Sequence, residues 1–152
     1  AVDIGVDNLL GGTNVHSVLS IIKGTKIKYY PFPGEIVGHP SVLSGSIEEI
    51  VKSSNKLAGH EGVHGLDLLA YRFAGDVPSL MTAVRSVTDK PVIIAGSIDC
   101  KKKIIEVMKS GARAFTIGTA ALDGVYTSKG HNLTSQLIKI IEDVAAIDSK
   151  DL

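Results

Sequence analysis

Lys90-Pro91-Val92-Ile93-Ile94-Ala95-Gly96-Ser97-Ile98 and, further along, Phe115-Thr116-Ile117-Gly118-Thr119-Ala120-Ala121-Leu122 are the two stretches that decide the reading of this chain. Each runs from an apolar core into a glycine and then a hydroxyl residue. The first is a near-continuous apolar run, as expected of a parallel strand covered on both faces. A phosphate dianion needs several converging N–H donors. Gly96 and Gly118 lack a Cβ, so the backbone can approach an anion closely. Ser97 and Thr119 can add hydroxyl donors, and a short helix near Ala120–Leu122 can aim its N-terminus at the same place. Either glycine alone only turns the chain, whereas the pair at this spacing points to a phosphate-binding site.

Outward from this pair, strand-like and helix-like segments alternate. Strands are expected at Val2–Val6, Lys26–Phe32, Gly65–Tyr71, Pro91–Gly96 and Ala114–Gly118. Helices are expected at Asn14–Lys23, from a Ser46/Glu49 capping box onward, after Asp76 with Pro78 in the first turn, and after Asp99 up to Gly111. A last helix, Leu133–Val144, is expected to turn Leu137, Ile138, Ile141 and Val144 inward. The ten residues 31–40 are a Pro/Gly-rich loop, long enough to suggest a functional role.

Five β and five α elements in strict alternation imply an α/β fold with a parallel sheet and right-handed crossovers. Two architectures fit. One is a TIM barrel represented by its C-terminal five (β/α) units, so that residues 1–152 form one barrel domain lacking its N-terminal units. The strand pattern that starts immediately after Ala1 favours it. The alternative is a five-stranded doubly wound sheet. Five barrel strands do not close, so their edges would invite a homo-oligomer or further units of the same protein.

The segments 90–98 and 115–122, with Gly111-Ala112-Arg113-Ala114 between them, resemble the seventh and eighth strands of phosphate-binding (β/α)8 barrels. That group includes ribulose-phosphate-binding barrels, thiamine-phosphate synthase, sugar-phosphate epimerases and FMN-dependent barrels. The resemblance implies that Gly96, Ser97, Gly118, Thr119 and Ala120 hold a phosphate. It implies an enzyme acting on a small phosphorylated sugar or keto compound: an aldolase, isomerase, epimerase or decarboxylase, working without a cofactor. Alternatives are an FMN-dependent oxidoreductase, with the cofactor phosphate in the same turns, and a non-catalytic phosphate-ligand sensor.

Lys28-Tyr29-Tyr30-Pro31 resembles the Lys-Phe-Phe-Pro strand of the 2-keto-3-deoxy-6-phosphogluconate aldolases, which implies a Schiff-base role for Lys28. In that family the motif lies on the sixth strand, while here it falls on the fifth. A lysine desolvated in a barrel would have its pKa lowered and could attack a carbonyl. On the next strand, period-two alternation turns Tyr71 inward near the top and places Arg72 at the loop, where it can bind a carboxylate or second phosphate. Asp67 lies deeper, with Lys28 as a plausible partner. Asp7 is expected at the C-terminal end of the first strand, where a general acid or base would sit. His39 in the long loop, near Glu35, is a substrate-binding candidate.

The remaining features are mostly exclusions. Lys plus Arg and Asp plus Glu number 16 each, so no net charge draws the chain to nucleic acid or an acidic membrane. No apolar run approaches the ~20 residues of a membrane span. His16, His60, His64 and His131 share no metal-ligand spacing with carboxylates or Cys100. The single cysteine excludes an internal disulfide and fits a cytoplasmic location. Lys101-Lys102-Lys103 reads as a solvated helix start.

Overall fold

Val92–Ile94 forms β6, the middle of a three-stranded parallel sheet in which β5 (Leu66–Leu68) and β7 (Ala114–Phe115) flank it. Leu66 lies opposite Val92 and Leu68 opposite Ile94, and all four side chains are fully buried. A computed structural model describes residues 1–147. A second parallel pair joins β1 (Asn8–Leu10) to β2 (Lys28–Tyr30), with Asn8 opposite Lys28. β2 ends at Tyr30 rather than running to Phe32, because Pro31 and Pro33 have no N–H for a ladder.

The two sheets meet at an irregular seam. Tyr29 bridges Val63, the His64 N–H donates to the Tyr29 carbonyl, and the Asp67 N–H donates to the Pro31 carbonyl. Between those bonds β2 advances two residues and its partner three, which is the signature of a bulge. The parallel strands therefore neighbour one another in chain order, β1, β2, β5, β6, β7. Among the described residues none of the sheets closes into a barrel.

The helices are α1 (Val15–Ile22), α2 (Ile47–Ala58), α3 (Val77–Ser86), α4 (Lys101–Lys109), α5 (Thr119–Leu122) and α6 (Leu133–Ala145). The Ser46/Glu49 capping box opens α2, with bonds of 2.7 and 3.2 Å, and the Asp76 side chain caps α3. Ile50, Leu80, Val84, Ile104 and Val107 from α2, α3 and α4 share one core with Leu66, Leu68, Val92 and Ile94. These three helices thus lie on one face of β5–β6–β7, not on both as a doubly wound sheet requires. α1 packs Val15 and Ile22 with Tyr29 and Val63 in a smaller core. The opposite face carries Asn8, Lys28, Tyr30, Asp67 and Ile93, of which Asn8 and Lys28 are exposed.

Four expectations need correction. Val2–Val6 is a turn, not a strand: the Gly5 N–H donates to the Ala1 and Val2 carbonyls, with Gly5 at a φ of 74° that strands do not use. Residues 31–40 are only partly loop, because β3 (Glu35–Val37) pairs antiparallel with β4 (Val42–Ser44). Cys100, not Asp99, occupies the cap position of α4, since Asp99 is engaged by Lys103 one turn on. In α6, Leu137, Ile138, Ile141 and Val144 face outward, and Gln136 and Asp143 are buried. Gln136 binds both the N–H and the carbonyl of Thr127 and the carbonyl of Gly130. Asp143 accepts from Tyr126 and pairs with Lys139. Satisfying the polar groups of the 123–131 segment therefore sets the rotation of this helix, against its apolar periodicity.

Candidate functional site

Beyond the C-terminal ends of β5, β6 and β7 the chain makes three turns, and a cavity of ≈ 440 Å³ opens among them. Arg72 reaches it from the 3-10 turn Ala70–Arg72 that follows β5. Gly96 and Ser97 reach it from the turn after β6, and Thr119 and Ala120 from the turn after β7. Pro40, Ser41 and Val42 of the β3–β4 hairpin form a facing wall, which the Leu43–Phe73 bridge ties to β5's turn. Val125, in the segment clamped by Gln136, also lines the cavity.

Two local arrangements present donors here. Gly96 has a φ of 113°, and its backbone packs tightly on Arg72. Thr119 and Ala120 begin α5, so their N–H groups have no intrahelical acceptor. Among the described residues, the N–H groups of Gly96, Ser97, Thr119 and Ala120 bond to no backbone carbonyl. Gly118 caps this turn, with open space around it and no direct place in the cavity wall.

The charges are uneven. Arg72 Nη1 donates to the Ser41 carbonyl at 3.1 Å. Asp99 lines the cavity too, but Lys103 binds it at 3.0 Å and holds its carboxyl below the usual carboxylate range. Lys103 also donates to the Ser97 carbonyl, stiffening the turn after β6.

The other sequence-derived residues are not gathered here. Tyr71 lies in the 3-10 turn and points to α4, not inward from a strand: its hydroxyl donates to Glu106 at 2.8 Å, and Lys103 stands over its ring. Burial and the Glu106 carboxylate push its pKa upward. Asp7 precedes β1, at the N-terminal end of the strand, and its carbonyl accepts from Lys28. Lys28 opens β2. Since Pro31 is level with Leu66 and Val92, Lys28 lies three residues below that line and Gly96 four above it. At 3.2–3.4 Å per residue the two stand roughly 20 Å apart along the strands. His39 is exposed in the hairpin turn beside the lining Pro40, and Glu35 is exposed on β3.

Asp67 is buried on β5, and its Oδ1 has no hydrogen-bond partner among the described residues; Lys28 does not pair with it. Burial raises its pKa to about 7. A carboxyl that titrates there is suited to proton transfer. It is level with Ile93, three residues below Gly96, about 10 Å beneath the cavity.

The hairpin wall and Val125 escaped the sequence reading. Only the length of the 31–40 segment signalled the former. A second hollow of ≈ 350 Å³ between α1 and Glu61–His64 holds none of the expected site residues. Among the described residues no three His, Cys, Asp or Glu side chains gather as metal ligands, and no helix is long and apolar enough to cross a membrane. No protein-family model matches this chain, and no curated protein matches its sequence.

Proposed function

We propose that this protein is an enzyme acting on a small phosphorylated sugar or keto compound, with the phosphate held by the turns after β6 and β7. The observation that carries this reading is the convergence of Gly96, Ser97, Thr119, Ala120 and Arg72 on one cavity at the C-terminal ends of adjacent parallel strands. Unpaired N–H groups and a guanidinium suit a dianion, and ligands of parallel α/β proteins gather at this end of the strands. We read the strands as (β/α)8-barrel units, supported by their chain-order neighbourhood and by α2–α4 covering one face of β5–β7. The reaction class is lyase or isomerase chemistry on carbon next to a carbonyl, with Asp67 a buried carboxyl on the strand beneath the cavity.

Calorimetric titration with glycerol 3-phosphate tests the phosphate site. Saturable binding that Thr119→Glu, which puts a carboxylate on the cavity wall, weakens at least tenfold, about 1.4 kcal/mol, supports it. Absence of binding, or an affinity unmoved by that substitution, removes it.

A further inference from the structure

Among the described residues, the cavity wall holds one cation with no acid to meet it. Arg72 is partly buried, lines the cavity and forms no ion pair among the described residues. Asp99, the other charged group on the wall, is already neutralised by Lys103. Of the five N–H donors of the Arg72 guanidinium, one on Nη1 is taken by the Ser41 carbonyl. That bond turns the head toward the β3–β4 hairpin and leaves its Nε–Nη2 edge free. A partly desolvated guanidinium is costly unless an anion reaches it. The Thr119 and Ala120 donors stand on the other side. β5 and β7 are two strand spacings apart, about 10 Å.

An unpaired guanidinium at one side and unpaired N–H groups at the other make two anion-attracting places in one small cavity. We infer that the ligand carries an anionic group at each end, a phosphate against the Gly96 and Thr119 turns and a carboxylate read in a bidentate fork by Arg72. This deepens the proposed function and rests on its phosphate site. The substrate class is a short phosphorylated carboxylic or keto acid of two to four carbons. A neutral sugar phosphate would leave Arg72 unanswered. Arginine suits the task because its planar edge matches a carboxylate in a way that a lysine ammonium does not.

The test compares three probes by calorimetry or NMR titration: phosphoglycolate, 2-hydroxyethyl phosphate and glycolate. Phosphoglycolate is expected to bind at least tenfold tighter than 2-hydroxyethyl phosphate. Arg72→Gln should erase that advantage, weakening phosphoglycolate at least tenfold more than 2-hydroxyethyl phosphate, and Arg72→Lys should retain only part of it. Circular dichroism and the melting midpoint establish that each variant is folded. Should Arg72→Gln unfold the chain, Arg72→Lys and the wild-type comparison decide alone. Equal affinity of the wild type for the two phosphates overturns the inference, as does an Arg72 substitution that weakens both equally. Failure of the phosphate site itself reads differently: neither phosphate binds. Glycolate then tests the carboxylate alone, and the absence of an Arg72-dependent shift overturns the inference as well.

Discussion

A Cβ placed on Gly96 would stand 3.2 Å from the backbone nitrogen of Arg72 and 3.3 Å from its Cγ. The glycine is therefore needed by the protein before any ligand arrives. Its φ of 113° adds strain for any other residue. Gly96→Ala is expected to lower stability by about 1–3 kcal/mol, visible as a lower midpoint in urea or heat. Gly118 is the contrast, because a Cβ there meets nothing within 4 Å. Gly118→Ala should leave the midpoint nearly unchanged. If both substitutions destabilise alike, the two glycines do not divide the work in this way.

The buried Asp67 carboxyl makes stability depend on pH. Folding raises its pKa from 3.8 to about 7 by burial. Between those values the unfolded chain has lost the proton while the folded chain keeps it. Stability is therefore full below about pH 4, falls as pH rises toward about 7, and levels off above. A change of that size corresponds to roughly 4 kcal/mol. Asp67→Asn should remove this component. Urea titrations at pH 5 and pH 8 would show the variant gaining on the wild type at the higher pH. Parallel profiles would mean that Asp67 stays ionised when folded.

The rotation of α6 can be checked by two substitutions that the apolar pattern ranks the other way. Gln136→Leu strands three backbone groups of Thr127 and Gly130, and should cost about 1–3 kcal/mol with faster amide exchange near Thr127. Ile141 is 67% exposed. Ile141→Lys should therefore change stability by no more than about 0.5 kcal/mol. A large loss from Ile141→Lys with little from Gln136→Leu would turn the helix over.

Lys28 is exposed and remote from the cavity. Borohydride trapping with a ketose phosphate or 2-keto acid is expected to add no mass there beyond the background of surface lysines. A specific adduct on Lys28, read by mass spectrometry of peptides, would restore the Schiff-base role.

The alternation of strands and helices was written in local chemistry: apolar spacing, the Ser46/Glu49 box, the Asp76 cap and the Gly111 stop. So were the turns after β6 and β7, because glycine and hydroxyl residues after apolar strands act within a few residues of themselves. Other features needed distant partners. Whether Val2–Val6 extends depended on the hydrogen bonds of Gly5, and the strand moved instead to Asn8–Leu10. The levels of Lys28 and Gly96 depended on a bulge between β2 and β5 that leaves no mark in either strand's composition. α6 shows the reason most plainly. Its periodicity places Leu137 and Ile141 inward, but the buried carbonyls and N–H groups of Thr127 and Gly130 demanded Gln136, and an unpaired polar group costs more than an exposed isoleucine. The tertiary structure alone decided that Arg72, Gly96 and Thr119 share one cavity, because their convergence is set by strand register and not by distance along the chain.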